Sequence, residues 1–482
     1  MTDYEKIIDL YLKYPDRGDF VPVKDGEGVC LLYDGQTGLA KARHLAFSTG
    51  VKAAFRQAER QAVLAELEIL ESARTDDYSA EEEDFEDVSD ILSANYDDAP
   101  IIRLVNQTVI QAVKSGASDI HFEGLTGKFA VRFRIDGKLT TIKQYPKSLQ
   151  ESVIARIKVI SELDVAETRK AQDGRINLKI GNRDVDIRVS TIPSVTGEKA
   201  VLRILEKSKS LVTIEKTGLP ANLVPTFRKV IKRPNGIILV TGPTGSGKTT
   251  TLYAALQELV SDDTNIMTIE DPVEYHMEKI TQVQVNRTVD ITFHSAVRAF
   301  LRQDPDIILI GEIRDKETAQ AAVQAALTGH LVLSTLHTNN APTAVARLID
   351  MEVEPFLLSS SLIAVLGQRL VRKLCPKCRK KVKAEEYVKD FFRTGGFELE
   401  EYYEPVGCDS CMHTGFSGRL GVFEMMTIDD GIRRLINERA DSSAIAKEAH
   451  KKGYRPLMHH GFELVQAGIT SPSEIIAVSG ND

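Results

Sequence analysis

Apolar residues change their spacing several times along this chain, and each change predicts a different kind of element. Over 52–71 they recur at helical intervals with no glycine or proline, which predicts a long helix inside a small helical domain spanning 1–72. Over 101–115 the same periodicity predicts a second helix, closed by Gly116. Residues 129–133 and 185–189 alternate apolar with polar, as strands buried on one face do. Asp136-Gly137 lies between two strand-like runs and has the composition of a hairpin turn. Residues 100–210 are therefore expected to form an α+β domain.

Beyond Lys216 the pattern changes again. Unbroken apolar runs at 236–240, 307–310 and 331–333 are separated by longer helical stretches. Parallel strands covered by helices on both faces read this way, so 215–370 is expected to be a doubly wound α/β core. A cysteine-bearing stretch over 371–425 and a helical segment over 426–482 follow. Between the first two domains, 73–99 is strongly acidic and includes Glu81-Glu82-Glu83-Asp84, which predicts a solvated linker.

Composition adds limits. A chain of 482 residues is too long for one ordinary core. Lys plus Arg is 61 against 69 for Asp plus Glu, a formal net charge of −8, which disfavours a general nucleic-acid binder. No run of about 18 apolar residues occurs, so no membrane-spanning helix is expected. The first residues show no basic segment followed by an apolar run, so no signal peptide is expected either. These features predict a cytosolic protein whose membrane role runs through a partner.

The chemistry is concentrated in the α/β core. Gly242-Pro243-Thr244-Gly245-Ser246-Gly247-Lys248-Thr249, with Thr250 next, fits G-x-x-x-x-G-K-[ST] between an apolar strand and a helix-compatible run at 250–260. In such a loop glycines let backbone N–H groups cradle phosphates at a helix N-terminus. Lys248 would reach the β- and γ-phosphates, and the Thr249 hydroxyl would hold Mg²⁺. Glu312 ends the apolar run 307–310, where an open α/β sheet places ligands. Glu270 follows the run 266–269 within Thr268-Ile269-Glu270-Asp271-Pro272-Val273-Glu274. Spacing alone does not rank Glu270 and Glu312 as general base. His330 and His337 bracket the strand 331–336, either as structural histidines or as sensors of the γ-phosphate.

Cys375-x-x-Cys378 and Cys408-x-x-Cys411 are separated by 29 residues. Four thiolates suit a tetrahedral, structural Zn²⁺. Cys30, in an apolar run, is expected to pack in a core.

Four segments carry a family resemblance: GPTGSGKTT (242–250), TIEDPVEY (268–275), LRQDPDIILIGEIRD (301–315) and GHLVLSTLHTN (329–339). Upstream, SDIHFE (118–123), FRIDG (133–137), QDGR (172–175) and DIRVSTIPSVTGEKAVLRIL (186–205) add to it. Together they resemble the secretion ATPase superfamily, above all the type II secretion and type IV pilus assembly ATPases. The first four look like that family's Walker A, aspartate-box, Walker B and histidine-box motifs. The resemblance implies a RecA-like P-loop core, an upstream PAS-like domain, and a homohexameric ring with ATP between the two domains. It implies that Arg188 and Arg203 reach the phosphates, and that Arg298, Arg302 and Arg347 lie near the nucleotide or a subunit contact. It further implies Glu270 as base and Glu312 as organiser of Mg²⁺. The tetracysteine module resembles that of assembly-type rather than retraction-type members.

The function expected on this basis is an ATPase motor for type II secretion, peripheral on the cytosolic face of a bacterial inner membrane. Recruitment to inner-membrane platform proteins would run through residues 1–72. Type IV or competence pilus assembly is the alternative. A DNA-translocating motor fits the acidic composition poorly.

Overall fold

The structure is a computed structural model that describes residues 3–11, 19–25, 28–63, 66, 100–180, 183–206 and 212–479. The expected acidic linker at 73–99 lies outside the described residues. The chain divides into two units, 1–87 and 88–482.

The first unit is mixed α/β rather than helical. Helices α1 (Asp3–Tyr11) and α2 (Gly35–Thr49) accompany strands β1 (Phe20–Asp25), β2 (Gly28–Tyr33) and β3 (Ala53–Gln57). β1 and β2 pair antiparallel, and β3 adds to β2 in parallel, Val29 opposite Ala53. The helix expected over 52–71 is thus replaced at its start by a strand. Ala53, Ala54, Arg56 and Gln57 favour helix, but parallel pairing through the α2 crossover satisfies their backbone groups, and tertiary context wins. Ile7, Tyr11, Phe20, Leu31 and Leu45 form the core, and Cys30 is buried on β2 as expected.

The second unit begins with α3 (Pro100–Lys114), which ends before Gly116 at φ +66°. A six-stranded antiparallel sheet follows: β4 (Asp119–Leu125), β5 (Lys128–Ile135), β6 (Lys138–Pro146), β7 (Gln172–Ile180), β8 (Arg183–Ile192) and β9 (Lys199–Glu206), in the order β6-β5-β4-β9-β8-β7. α3 and α4 (Gln150–Ile160) bury one face of it through Val105, Val109, Val153 and Ile157. Strand alternation leaves the other face polar. Across that face one row runs Arg134, Asp119, Arg203, Arg188, Arg175, each opposite the next on neighbouring strands.

The α/β core carries a seven-stranded sheet. Its strands are β10 (Gly236–Thr241), β11 (Ile266–Glu270), β12 (Ile280–Gln284), β13 (Ile307–Ile310), β14 (Leu331–Leu336), β15 (Leu362–Leu374) and β18 (Phe416–Thr427), in the order β12-β11-β13-β14-β10-β15-β18. All neighbours are parallel except β15 and β18. Ile237 and Leu239 face one apolar cluster, while Ile238 and Val240 face the other. A strand buried on both sides cannot alternate with polar residues, which is why the apolar runs are unbroken. Helices α5 (Val224–Ile231) and α6 (Lys248–Leu259) pack on one face. Helices α7 (Phe293–Phe300), α8 (Lys316–Leu327), α9 (Ala341–Asp350) and α10 (Pro355–Ser361) cover the other.

β15 and β18 pair from Ala364–Thr427 to Leu374–Phe416, so the expected boundaries at 371 and 425 fall inside two strands of the core sheet. The cysteine lobe hangs between them and contains β16 (Lys380–Lys383), α11 (Glu386–Thr394) and β17 (Glu401–Glu404). The helical segment comprises α12 (Asp430–Asn437), α13 (Ser442–Lys451), α14 (Leu457–Gln466) and α15 (Pro472–Ser479). α14 and α15 pack against the lobe, with Phe462 and Ile475 sharing a core with Val388 and Phe392. The buried Glu424 of β18 ties this segment to the core, accepting from Ala341 N (2.6 Å), Tyr454 Oη (2.8 Å) and Leu457 N (2.8 Å). Among the described residues no helix is long and apolar enough to cross a membrane.

Candidate functional site

The C-terminal ends of β10, β11, β13 and β14 open into a cleft of about 910 Å³, closed on its far side by the polar face of the upstream sheet. That volume falls within the range of small-molecule sites, roughly 300–1,000 Å³.

The loop after β10 reaches into the cleft from Thr244 to Thr250. Two of its glycines are required by geometry. A Cβ on Gly242 would sit 2.3 Å from Gln368 O, and one on Gly247, at φ +85°, would sit 2.9 Å from Gln368 Nε2. Gly247 also caps α6 in the left-handed conformation, which aims the helix N-terminus at the cleft. Lys248 is only 8% exposed, and its Nζ donates to Gly242 O (2.8 Å) and Pro243 O (2.9 Å). Gly242 and Pro243 thus stand behind the lining, holding the lysine. Thr249 is exposed in the cleft.

Burial brings the Lys248 ammonium down to about 8; Glu312 opposes the shift and Arg369 adds to it. A phosphate group favours the charged lysine. ATP binding should therefore take up more protons as pH rises from about 7 to 9, and affinity should weaken over that interval. Calorimetry in buffers of different ionisation enthalpy measures this. Uptake that stays constant across the interval contradicts the assignment.

Glu270, at the end of β11, is 3% exposed and accepts hydrogen bonds on both carboxylate oxygens. Its Oε1 accepts from Thr268 Oγ1 (2.7 Å) and Gln282 Nε2 (3.3 Å), and its Oε2 from the Tyr253 hydroxyl. Glu312, just past β13, is held differently. Arg314 Nη2 lies 2.5 Å from Oε1, and His337 Nε2 lies 3.2 Å from Oε2. Ser334 and Thr335 of β14 donate to Ile310 O and Gly311 O, both at 2.8 Å, and fix β14 against the strand that presents Glu312.

His330 does not join them. It precedes β14, at the end of the sheet away from the cleft, where its Nδ1 lies 2.8 Å from Ala325 O. A parallel sheet presents ligands at one end only, so a residue before the strand is carried away from the site.

The upstream sheet contributes Ser118, Asp119, Arg134 and Arg203. Asp119 pairs with Arg203 Nε (3.0 Å) and Arg134 Nε (3.6 Å), and the Arg203 side chain stays 65% exposed. Arg188 sits one strand further along the same row and is absent from the cleft lining. Arg298, Arg302 and Arg347 are exposed on α7, just after it, and on α9, and they too lie outside the lining. Reading from sequence missed Arg134, Arg314, Arg419, Tyr253 and Gln282. Arg134 and Arg314 stood inside the quoted FRIDG and GEIRD segments, but Tyr253 and Gln282 carried no signal of their own.

The four cysteines of the lobe meet. The separations are 3.9 Å for Cys375–Cys408 and 3.8 Å for both Cys378–Cys411 and Cys408–Cys411, and all four sulfurs lie within 4.8 Å of one another. A tetrahedron with Zn–S bonds of about 2.3 Å requires sulfurs about 3.8 Å apart, whereas a disulfide brings them to about 2.05 Å. The residues present therefore fit zinc. Burial resists ionisation of Cys411, but N–H groups of Cys408 and Gly415 aimed at its sulfur bring it down to about 6, while burial pushes Cys408 up to about 11.

Residues 94–477 match the family described as type II/IV secretion system protein. This chain belongs to that family. It is 48% identical over 408 residues to the type II secretion system ATPase E of Vibrio cholerae serotype O1, covering 84% of this chain and 80% of that one. It is 47% identical over 468 residues to the type II secretion system protein E of Dickeya dadantii, covering 94% and 92%. Among solved structures, the Legionella pneumophila ATPase DotB superposes with a TM-score of 0.61 at 20% identity, over 81% of this chain and 99% of that one. The pilus retraction motor PilT, solved with bound ADP, superposes with a TM-score of 0.53 at 25% identity, over 77% and 96%. This member carries a largely parallel sheet in its core and a tetracysteine cluster.

Proposed function

We propose that this protein binds and hydrolyses Mg²⁺-ATP in the cleft, as the hexameric motor that drives pseudopilus assembly and export in a type II secretion system. One observation carries the proposal: the loop ending in Lys248-Thr249, the carboxylates of Glu270 and Glu312, and the guanidinium groups of Arg134 and Arg203 all face one cavity. That arrangement suits phosphoryl transfer to water, where catalysis is mostly positioning and charge stabilisation.

In this reading loop N–H groups and Lys248 bind the β- and γ-phosphates. Thr249 and Glu312 hold Mg²⁺, which neutralises charge on the transferred group when bound. Glu270 orients the attacking water and takes its proton. Arg134 and Arg203 approach from the upstream domain, so hydrolysis and phosphate loss would loosen the two domains from each other. Arg188 would serve from the adjoining strand; its Nε is buried without a hydrogen-bond partner. The exposed Arg298, Arg302 and Arg347 would face a neighbouring subunit of the ring. Residues 1–72 would recruit the protein to inner-membrane partners. The names of the relatives favour type II secretion over pilus assembly.

Phosphate release by the full-length protein should need Mg²⁺, rise as rings assemble, and rise further with the cytosolic part of an inner-membrane partner. Stimulation by double-stranded DNA instead would overturn the export reading in favour of a DNA motor.

A further inference from the structure

Tyr253 lies on α6, the helix whose first residues are Lys248 and Thr249. Its side chain is 1% exposed, among the largest fully buried in the chain. A buried tyrosine hydroxyl needs a partner, and here that partner is Glu270 Oε2. Burial, then the neighbouring Glu270 charge, pushes the phenol well above the usual tyrosine range, so it stays a donor. Its ring is seated edge-on against Tyr275, centroids 6.0 Å apart, and the Tyr275 carbonyl accepts (3.0 Å) from the same Gln282 amide that donates to Glu270.

A carboxylate offers about four acceptor directions. Three are filled, by Tyr253, Thr268 and Gln282. One is left, and Glu270 lines the cleft. Thr268 and Gln282 both engage Oε1, whereas among the described residues Tyr253 alone donates to Oε2 and alone comes from the phosphate-loop helix. We infer that Tyr253 is a positioning residue that ties the carboxylate of Glu270 to the phosphate-binding helix, leaving one lone pair for the attacking water. The inference rests on the hydrolase reading above. In physical terms, the base and the phosphates then share one rigid frame, so a shift of the loop carries the base with it.

The test uses full-length protein and Tyr253→Phe, which keeps the ring and removes only the hydroxyl. ATP affinity should change less than about twofold, while kcat falls about tenfold to a hundredfold, the scale of misplacing a general base. In a Glu270→Asp background, whose shorter side chain cannot meet the phenol, the same change should cost less than about twofold. An equal loss in both backgrounds, or a kcat of wild-type size for Tyr253→Phe, would overturn the inference. Should Tyr253→Phe disturb folding, ATP affinity falls in both backgrounds alike, which also counts against it. Turnover that persists in Lys248→Ala and Glu270→Gln instead removes the cleft as the hydrolytic site, and absence of turnover in the unaltered protein removes the hydrolase reading itself.

Discussion

Lys248→Ala should lower ATP turnover by about 10²–10³-fold or more, the cost of removing one preorganised charge-stabilising donor from a transition state. The loss has two sources. The ammonium is the cation of the phosphate loop, and its hydrogen bonds to phosphate would be charge-assisted, roughly twice as strong as neutral ones. The same group donates to Gly242 O and Pro243 O, so alanine also strips the loop of the contacts that fold it around the phosphates. Substrate affinity should therefore fall together with kcat. Phosphate release by full-length protein at saturating Mg²⁺-ATP measures the first, and nucleotide titration the second. Wild-type turnover in this variant would remove the cleft as the hydrolytic site.

The second large effect concerns the lobe. Cys378→Ser, or extraction of metal by a strong chelator, should open the segment between Cys375 and Cys411 to proteolysis. Metal content should fall from one zinc per chain towards none. Structural zinc sites contribute apparent binding free energies of about 10–16 kcal/mol, and the other ties at this end of the lobe are polar and near its surface, chiefly Arg379, which donates to Gly468 O and lies over the Tyr403 ring. Its sheet has two strands, Lys380–Lys383 and Glu401–Glu404, and such a pair is marginal alone. The other end is better supported, because Val388, Phe392 and Tyr402 pack against Leu457 and Phe462. The damage should therefore begin at the cysteines while the seven-stranded sheet keeps its cooperative melting. Limited proteolysis with mass mapping, beside elemental analysis, reads both. A Cys378→Ser protein with full zinc and wild-type resistance would refute the four-sulfur site.

Much of this was legible because local rules and the fold agree. The strand before Gly242 and the run before Glu312 are apolar throughout, since both faces of the sheet are covered, and each ends at the ligand edge. The paired cysteines announce themselves by spacing. What escaped was set by partners distant in sequence. Residues 53–57 have helix-forming side chains and became a strand because β2 offered a parallel edge. The strands β15 and β18 crossed the boundaries expected at 371 and 425, because the lobe is an insertion into a hairpin rather than a domain following the core. His330 and His337 looked equivalent in sequence, yet only the one after β14 reaches Glu312. Tyr253 reads as an ordinary apolar position of α6, and only its hydroxyl, meeting Glu270 from a neighbouring strand, sets it apart.

The insertion of the lobe into that hairpin has a mechanical side. β15 runs past the phosphate loop's flank to the cysteines, hydrogen-bonded to β10 as far as Gly367 and to β18 from Ala364 to Leu374, with one irregularity between Arg372 and Leu374. Gln368, midway along it, accepts from the Thr251 hydroxyl at 2.8 Å and crowds Gly242 and Gly247. Force applied to the lobe would travel down a paired strand, a stiff rod and not a slack tether. The cysteine cluster is the handle of that rod, and its other end rests on the phosphate loop.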